Sequence, residues 1–122
     1  MASTHKPVTY IEGVVTGSTG KQATVRFLVD SGATYSLLPY EDWQEIGLSP
    51  KRSVTFTLAD GTTVERHVSE CHISLSLGEG HTPVILGEPG DQALLGVVTL
   101  EIIGLVLNPF DRTLRPMRML LA

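Results

Sequence analysis

The chain has one cysteine, Cys71, so no disulfide can form within it. A reducing, cytoplasmic location is the expectation that follows. Basic residues are few, nine Lys and Arg against thirteen Asp and Glu, and the net charge of −4 comes from scattered positions. Without a basic stripe, nucleic acid is not expected as a partner. No apolar run approaches the ~20 residues that a membrane-spanning helix needs. Residues 1–6 are polar and lack the apolar centre of a signal peptide, so no membrane partner is expected. One further scarcity matters: Asp30-Ser31-Gly32 occurs once, and Asp-Thr-Gly does not occur at all.

What is present reads as a turn-rich globular chain. Hydrophobic residues make up 42%, charged residues 18%, and 12 Gly and 7 Pro are spread along the 122 residues. That length fits one domain over residues 1–122, with 1–7 and 117–122 as flexible or interface-forming tails. Residues 8–16 and 21–29 are β-rich runs around Gly17-Ser18-Thr19-Gly20, which predicts a hairpin. Val25, Phe27 and Val29 share one face of the second run, with Leu28 on the other. Residues 35–38 predict a short strand. Pro39 then stands at the first position of a helix around Trp43, with Glu41 and Asp42 in its first turn and Gly47 past its end. Val54, Phe56 and Leu58 alternate with Thr55 and Thr57, and Asp60-Gly61 supplies the turn into a returning strand over 63–68. Cys71, Ile73, Leu75 and Leu77 are expected on one face of the next strand, followed by a strand over 82–86. Residues 97–103 predict a helix stopped by Gly104. About nine short strands and two minor helices indicate a mainly β barrel or sandwich.

Asp30 stands out within that pattern. It ends the apolar run Phe27-Leu28-Val29, which delivers an ionisable group to the edge of a core. Such a placement costs free energy unless the charge is bonded, paired or used. Asp, Ser and Gly are also ordinary turn residues, so the tripeptide alone leaves a simple strand-ending turn open.

The ordered set of motifs is more specific. Phe27 to Thr34, followed by Ser36-Leu37-Leu38-Pro39, resembles the active-site segment of retropepsin-like aspartic proteases. Ala93-Leu94-Leu95-Gly96 with its following helix is similar to that family's second signature. Leu58-Ala59-Asp60-Gly61-Thr62 occupies the place of its flap hairpin, and Gly104 to Pro109 is similar to the end of compact microbial members. The resemblance implies a retropepsin-like acid-protease β-barrel with a flap hairpin and one or two short helices. It implies a catalytic segment of Asp30, Ser31 and Gly32, with the Ser31 hydroxyl bridging two loops. Leu28, Ala33, Thr34, Leu94 and the hairpin-tip residues Ala59, Asp60 and Gly61 are implied to bind substrate. The substrate would be a polypeptide, and neither cofactor nor metal is implied.

The family's chemistry uses a water between two carboxylates that share one proton. This chain offers one aspartate in the required setting, so the second is expected from a homodimer. Asp60, Asp91 and Asp111 lack the apolar-strand-then-glycine context. Val97 stands where retroviral members carry a polar or charged residue, so the dimer is expected to be built differently, with the apolar tail 117–121. His67, Cys71, His72 and His81 read as surface histidines and a buried thiol rather than a zinc site. Gly20-Lys21 reads as a turn, since Gln22 stands where a phosphate loop needs Ser or Thr. Two other readings stay open: a retropepsin-fold dimerisation or peptide-binding module without proteolysis, and an unrelated small β-barrel.

Overall fold

The computed structural model describes residues 9–118, which form nine strands and two short helices. The strands are β1 (Tyr10–Thr16), β2 (Gln22–Val29), β3 (Ser36–Leu38), β4 (Arg52–Thr57), β5 (Thr63–Leu75), β6 (Gly78–Leu86), β7 (Leu94–Leu95), β8 (Leu105–Leu107) and β9 (Leu114–Pro116). The helices are α1 (Tyr40–Glu45) and α2 (Val97–Ile103). Val8, the tail 1–7 and residues 119–122 lie outside the described residues.

Hairpins supply much of the sheet. β1 and β2 pair antiparallel across the Gly-rich turn, with Tyr10 opposite Leu28 and Thr16 opposite Gln22. β4 and β5 pair across the Asp60-Gly61 turn, where Gly61 takes a φ of 87° that favours glycine. β5 and β6 pair from Val68–Ile85 to Leu75–Gly78. The strand order is β1-β2-β7-β3-β6-β5-β4, and an additional β1–β5 ladder returns the sheet to its first strand. Two parallel pairings, β2–β7 and β3–β6, cross the middle of this order. β8 and β9 form a separate two-stranded sheet, its ladder extended where Met117 N–H donates to Gly104 C=O at 2.7 Å, and it joins the body through Leu105 and Leu107 in the core.

Alternation along the strands fills the interior. Val25, Phe27 and Val29 of β2 are buried, joined by Leu38, Ile46, Ile73, Val84, Leu95, Leu100 and Leu105. Each such side chain contributes roughly 1.5–3 kcal/mol on leaving water. Cys71 belongs to this core.

Several expectations need correction. The strand expected to break before Cys71 is continuous from Thr63 to Leu75, because Ser69 is buried, its first half pairs with β4 and its second half, from Val68, pairs with β6. β6 correspondingly begins at Gly78, ahead of residue 82. Leu77 falls in the tight β5–β6 turn and is 49% exposed, off the face shared by Cys71, Ile73 and Leu75. Leu58 lies beyond β4 and is exposed. Pro39 caps α1 from outside with extended ψ and does not open it.

Candidate active site

Asp30 follows the last residue of β2 and is half-buried. The parallel β2–β7 ladder sets its backbone: Leu28 N–H donates to Ala93 C=O at 2.9 Å, and Asp30 N–H to Leu95 C=O at 3.0 Å. The chain then turns, with Ala33 N–H donating to Asp30 C=O at 3.1 Å. Gly32 N–H donates to Asp30 Oδ1 at 2.9 Å, which satisfies one carboxylate oxygen from within the loop. An ideal Cβ on Gly32 would stand 3.2 Å from that same Oδ1. Oδ2 accepts no hydrogen bond among the described residues. Half-burial and a fixed backbone leave Asp30 aimed with one oxygen open to a partner.

The second signature clamps this loop. Gly96 is the residue before α2, and Val97 N–H and Val98 N–H donate to the carbonyls of Ala33 and Thr34 at 2.9 and 3.0 Å. Two donors of the helix start are thereby satisfied by the Asp30 loop. Gly96 is required by the closeness of the two segments. A Cβ there would lie 2.6 Å from the C and O of Tyr35, both backbone atoms.

A buried polar cluster backs the clamp. Gly96 N–H donates to Ser36 Oγ at 2.9 Å, Ser36 Oγ lies 2.6 Å from Thr99 Oγ1, and Thr99 Oγ1 lies 2.8 Å from Thr82 Oγ1. Ser36, Thr82 and Thr99 are all buried. Sequence reading missed these three, because isolated hydroxyl residues in three segments carry no local signal.

The expected site residues divide into two groups. Asp30, Ser31, Gly32, Ala33 and Thr34 form the loop, and Leu28 and Leu94 pair beneath it on β2 and β7. Ala59, Asp60 and Gly61 form the exposed tip of the β4–β5 hairpin. Thr62 donates to Asp60 Oδ1 twice, from its N–H at 2.9 Å and its hydroxyl at 2.6 Å, and these bonds hold the Asp60 carboxyl below its usual range. The stem reaches the loop through Phe56, whose ring meets Tyr35 edge-on.

Ser31 is exposed and borders a cleft of about 140 Å³. Val97, Leu100, Leu105, Val106 and Met117 give that cleft an apolar lining. Val106 and neighbouring Ile102 are about half exposed. Of the other aspartates, Asp91 accepts from Glu88 N–H and Asp111 accepts from Thr113 and Arg115, while Asp42 lies on α1 with its carboxyl raised above the usual range, chiefly by burial. His72 and His81 face each other across β5–β6 and lean on Glu79 and Glu70, each at 3.5 Å. Among the described residues no three metal-ligating side chains converge, and no helix is long and apolar enough to cross a membrane.

Comparison with known families gives one finding. A family profile described as Aspartyl protease matches residues 12–98, which span the Asp30 loop, the β4–β5 hairpin and the start of α2. No curated protein matches the chain.

Proposed function

The chain belongs to the retropepsin-like aspartyl protease family, and on that premise we propose that it is an endopeptidase whose active unit is a homodimer. Asp30 of each subunit supplies one carboxylate. Two carboxylates held that close share a single proton. The ionised one takes a proton from a bound water as the water oxygen attacks the scissile carbonyl carbon. The protonated one gives its proton to the carbonyl oxygen, forming a tetrahedral diol. Transfer of a proton to the leaving nitrogen breaks the C–N bond, releases acid and amine, and restores the shared proton.

The observation that carries this reading is the setting of Asp30. Its backbone is fixed by Leu95, one oxygen is held by Gly32 N–H, and the other is open. Asp60, Asp91 and Asp111 are tied into their own turns, which favours a second chain as source of the other carboxylate. The apolar cleft beside Ser31, with half-exposed Val106 at its edge, offers a surface for that second chain. Leu28, Ala33, Thr34, Leu94 and the tip Ala59-Asp60-Gly61 would contact the peptide, the tip closing over it to exclude water.

The test is cleavage of an unfolded protein at mildly acidic pH, blocked by a statine-type transition-state analogue. Asp30→Asn should abolish turnover while the dimer persists. Equal cleavage by that variant would overturn the assignment. A dimer of the wild type with no turnover would favour a peptide-binding module instead.

A further inference from the structure

We infer that Ser36 and Thr99 are positioning residues for Asp30, acting through a one-way relay of three buried hydroxyls; this deepens the proteolytic reading and rests on it. The direction of the relay follows from proton accounting. Gly96 N–H can only donate, so Ser36 Oγ accepts at 2.9 Å. At the far end Pro83 C=O can only accept, and the Thr82 hydroxyl donates to it at 3.3 Å. With the Thr82 proton committed there, Thr99 donates to Thr82 at 2.8 Å and Ser36 donates to Thr99 at 2.6 Å. Every hydroxyl then has one donor and one acceptor partner, and no buried side-chain oxygen or nitrogen is left unpaired among the described residues. The opposite direction would leave the Ser36 proton without an acceptor. Bonds aligned head to tail among buried groups polarise one another, so the relay is stiffer than separate pairs.

Its position gives it a role beyond filling the core. Ser36 opens β3 on the exit side of the Asp30 loop, while Asp30 enters that loop bonded to Leu95. The relay joins the exit to Gly96, the residue next to Leu95, and anchors both to α2 through Thr99 and to β6 through Thr82. Entry and exit of the catalytic loop are thus held against one dipeptide, Leu95-Gly96. The remaining links, Ala33 and Thr34 to α2, are backbone bonds that any sequence could make. The hydroxyls are the side-chain part, and they set how far the loop can slide along β7. In a site where a displacement of about 1 Å can cost on the order of 100-fold in rate, that control acts on the chemistry.

The test uses Thr99→Val, which keeps shape and removes the relay's centre, and Thr99→Ser, which keeps the hydroxyl. Thr82→Val shortens the relay at its far end and serves if Thr99→Val does not fold. Ile73→Val is a core control of comparable modesty on β5, opposite Val15 and Gly80 and outside the relay and the Asp30 loop. The readouts are kcat and KM across pH, together with the carboxyl titration of Asp30 followed by carbon-13 NMR and assigned with Asp30→Asn. Thr99→Val should lower kcat by about 10- to 100-fold with KM nearly unchanged, displace a limb of the pH profile and shift the Asp30 titration. Thr99→Ser should restore all three, Thr82→Val should show a smaller version, and Ile73→Val should show none. Wild-type kcat, pH profile and Asp30 titration in the folded Thr99→Val or Thr82→Val protein would overturn the inference. If the wild-type protein cleaves nothing, the proteolytic reading fails separately. The Asp30 titration then still decides the positioning role: altered in the valine variant and restored in serine supports it, and unaltered overturns it.

Discussion

The rings of Tyr35 and Phe56 meet edge-on, with centroids 6.2 Å apart and planes at 84°. This contact joins the stem of the β4–β5 hairpin to the residue leading into β3, so the hairpin takes its bearing from the loop it would cover. An aromatic pair of this kind contributes about 0.5–1.5 kcal/mol beyond its buried area. Phe56→Ala should therefore loosen the hairpin more than it unfolds the protein. KM for a peptide substrate should rise several-fold, with a denaturation midpoint that falls only modestly.

Gly96→Ala should be far more damaging than its size suggests. The added carbon meets backbone atoms of Tyr35 at 2.6 Å, which cannot rotate away as a side chain could. A loss of at least about 1–3 kcal/mol is expected in urea unfolding, as for other overpacked sites. Activity should fall with it, because the same segment carries the Leu95 carbonyl that fixes Asp30.

The proposed sharing of two Asp30 carboxylates between subunits can be tested by mixing. Equal amounts of wild-type and Asp30→Asn subunits, allowed to re-equilibrate, should leave about half of the wild-type activity, since mixed pairs carry one carboxylate. Val106→Asp, at the edge of the apolar cleft, should shift the protein to monomer in sedimentation and remove activity together with the dimer. Activity retained in the monomer would contradict the shared pair.

The hairpin tip should have its own acid dependence. The Asp60 carboxyl is held below its usual range by the hydroxyl and N–H of Thr62. A depressed value means that the capped tip is favoured above the unfolded carboxylate range and loses that advantage as pH falls through the folded value. Amide-exchange protection at Thr62 should persist at mildly acidic pH and decline in stronger acid. Asp60→Ala should remove both the protection and its pH dependence.

Cys71 provides an internal reporter of unfolding. Burial pushes its thiol up to about 12, so little thiolate is present near neutrality. Thiol reagents at mildly alkaline pH should label the native protein only at the rate of its opening, and promptly in denaturant.

Local signals carried most of the fold. The Asp60-Gly61 turn and the stop of α2 at Gly104, where φ is 86°, are legible because one residue type suits one backbone conformation. The Asp30 loop was legible because a charge directly after three apolar residues breaks the pattern of a core strand. The continuity of β5 was not, because Ser69 and Glu70 look like loop residues until pairing with β6 buries the first and leaves the second exposed beside Lys51 and His81. The hydroxyls of Ser36, Thr82 and Thr99 were invisible for a related reason. Each is polar, common and unremarkable alone, and their meaning lies in three segments meeting in space. Leu77 was misplaced because strand alternation was carried one step beyond the end of β5, into the turn.

The parallel β2–β7 pairing has a consequence for the order of events when the chain folds. Gly96 and Ser36 are 60 positions apart, and Thr99 and Ser36 are 63 apart, whereas β4–β5 and β5–β6 are hairpins closed by short turns. Long loops close late, since their entropy is lost before any contact compensates it. The hairpins should form first and the Asp30 loop dock last. A nascent chain would hold its carboxylate out of working geometry until α2 has been synthesised, which delays any cutting until the segment that clamps the Asp30 loop exists.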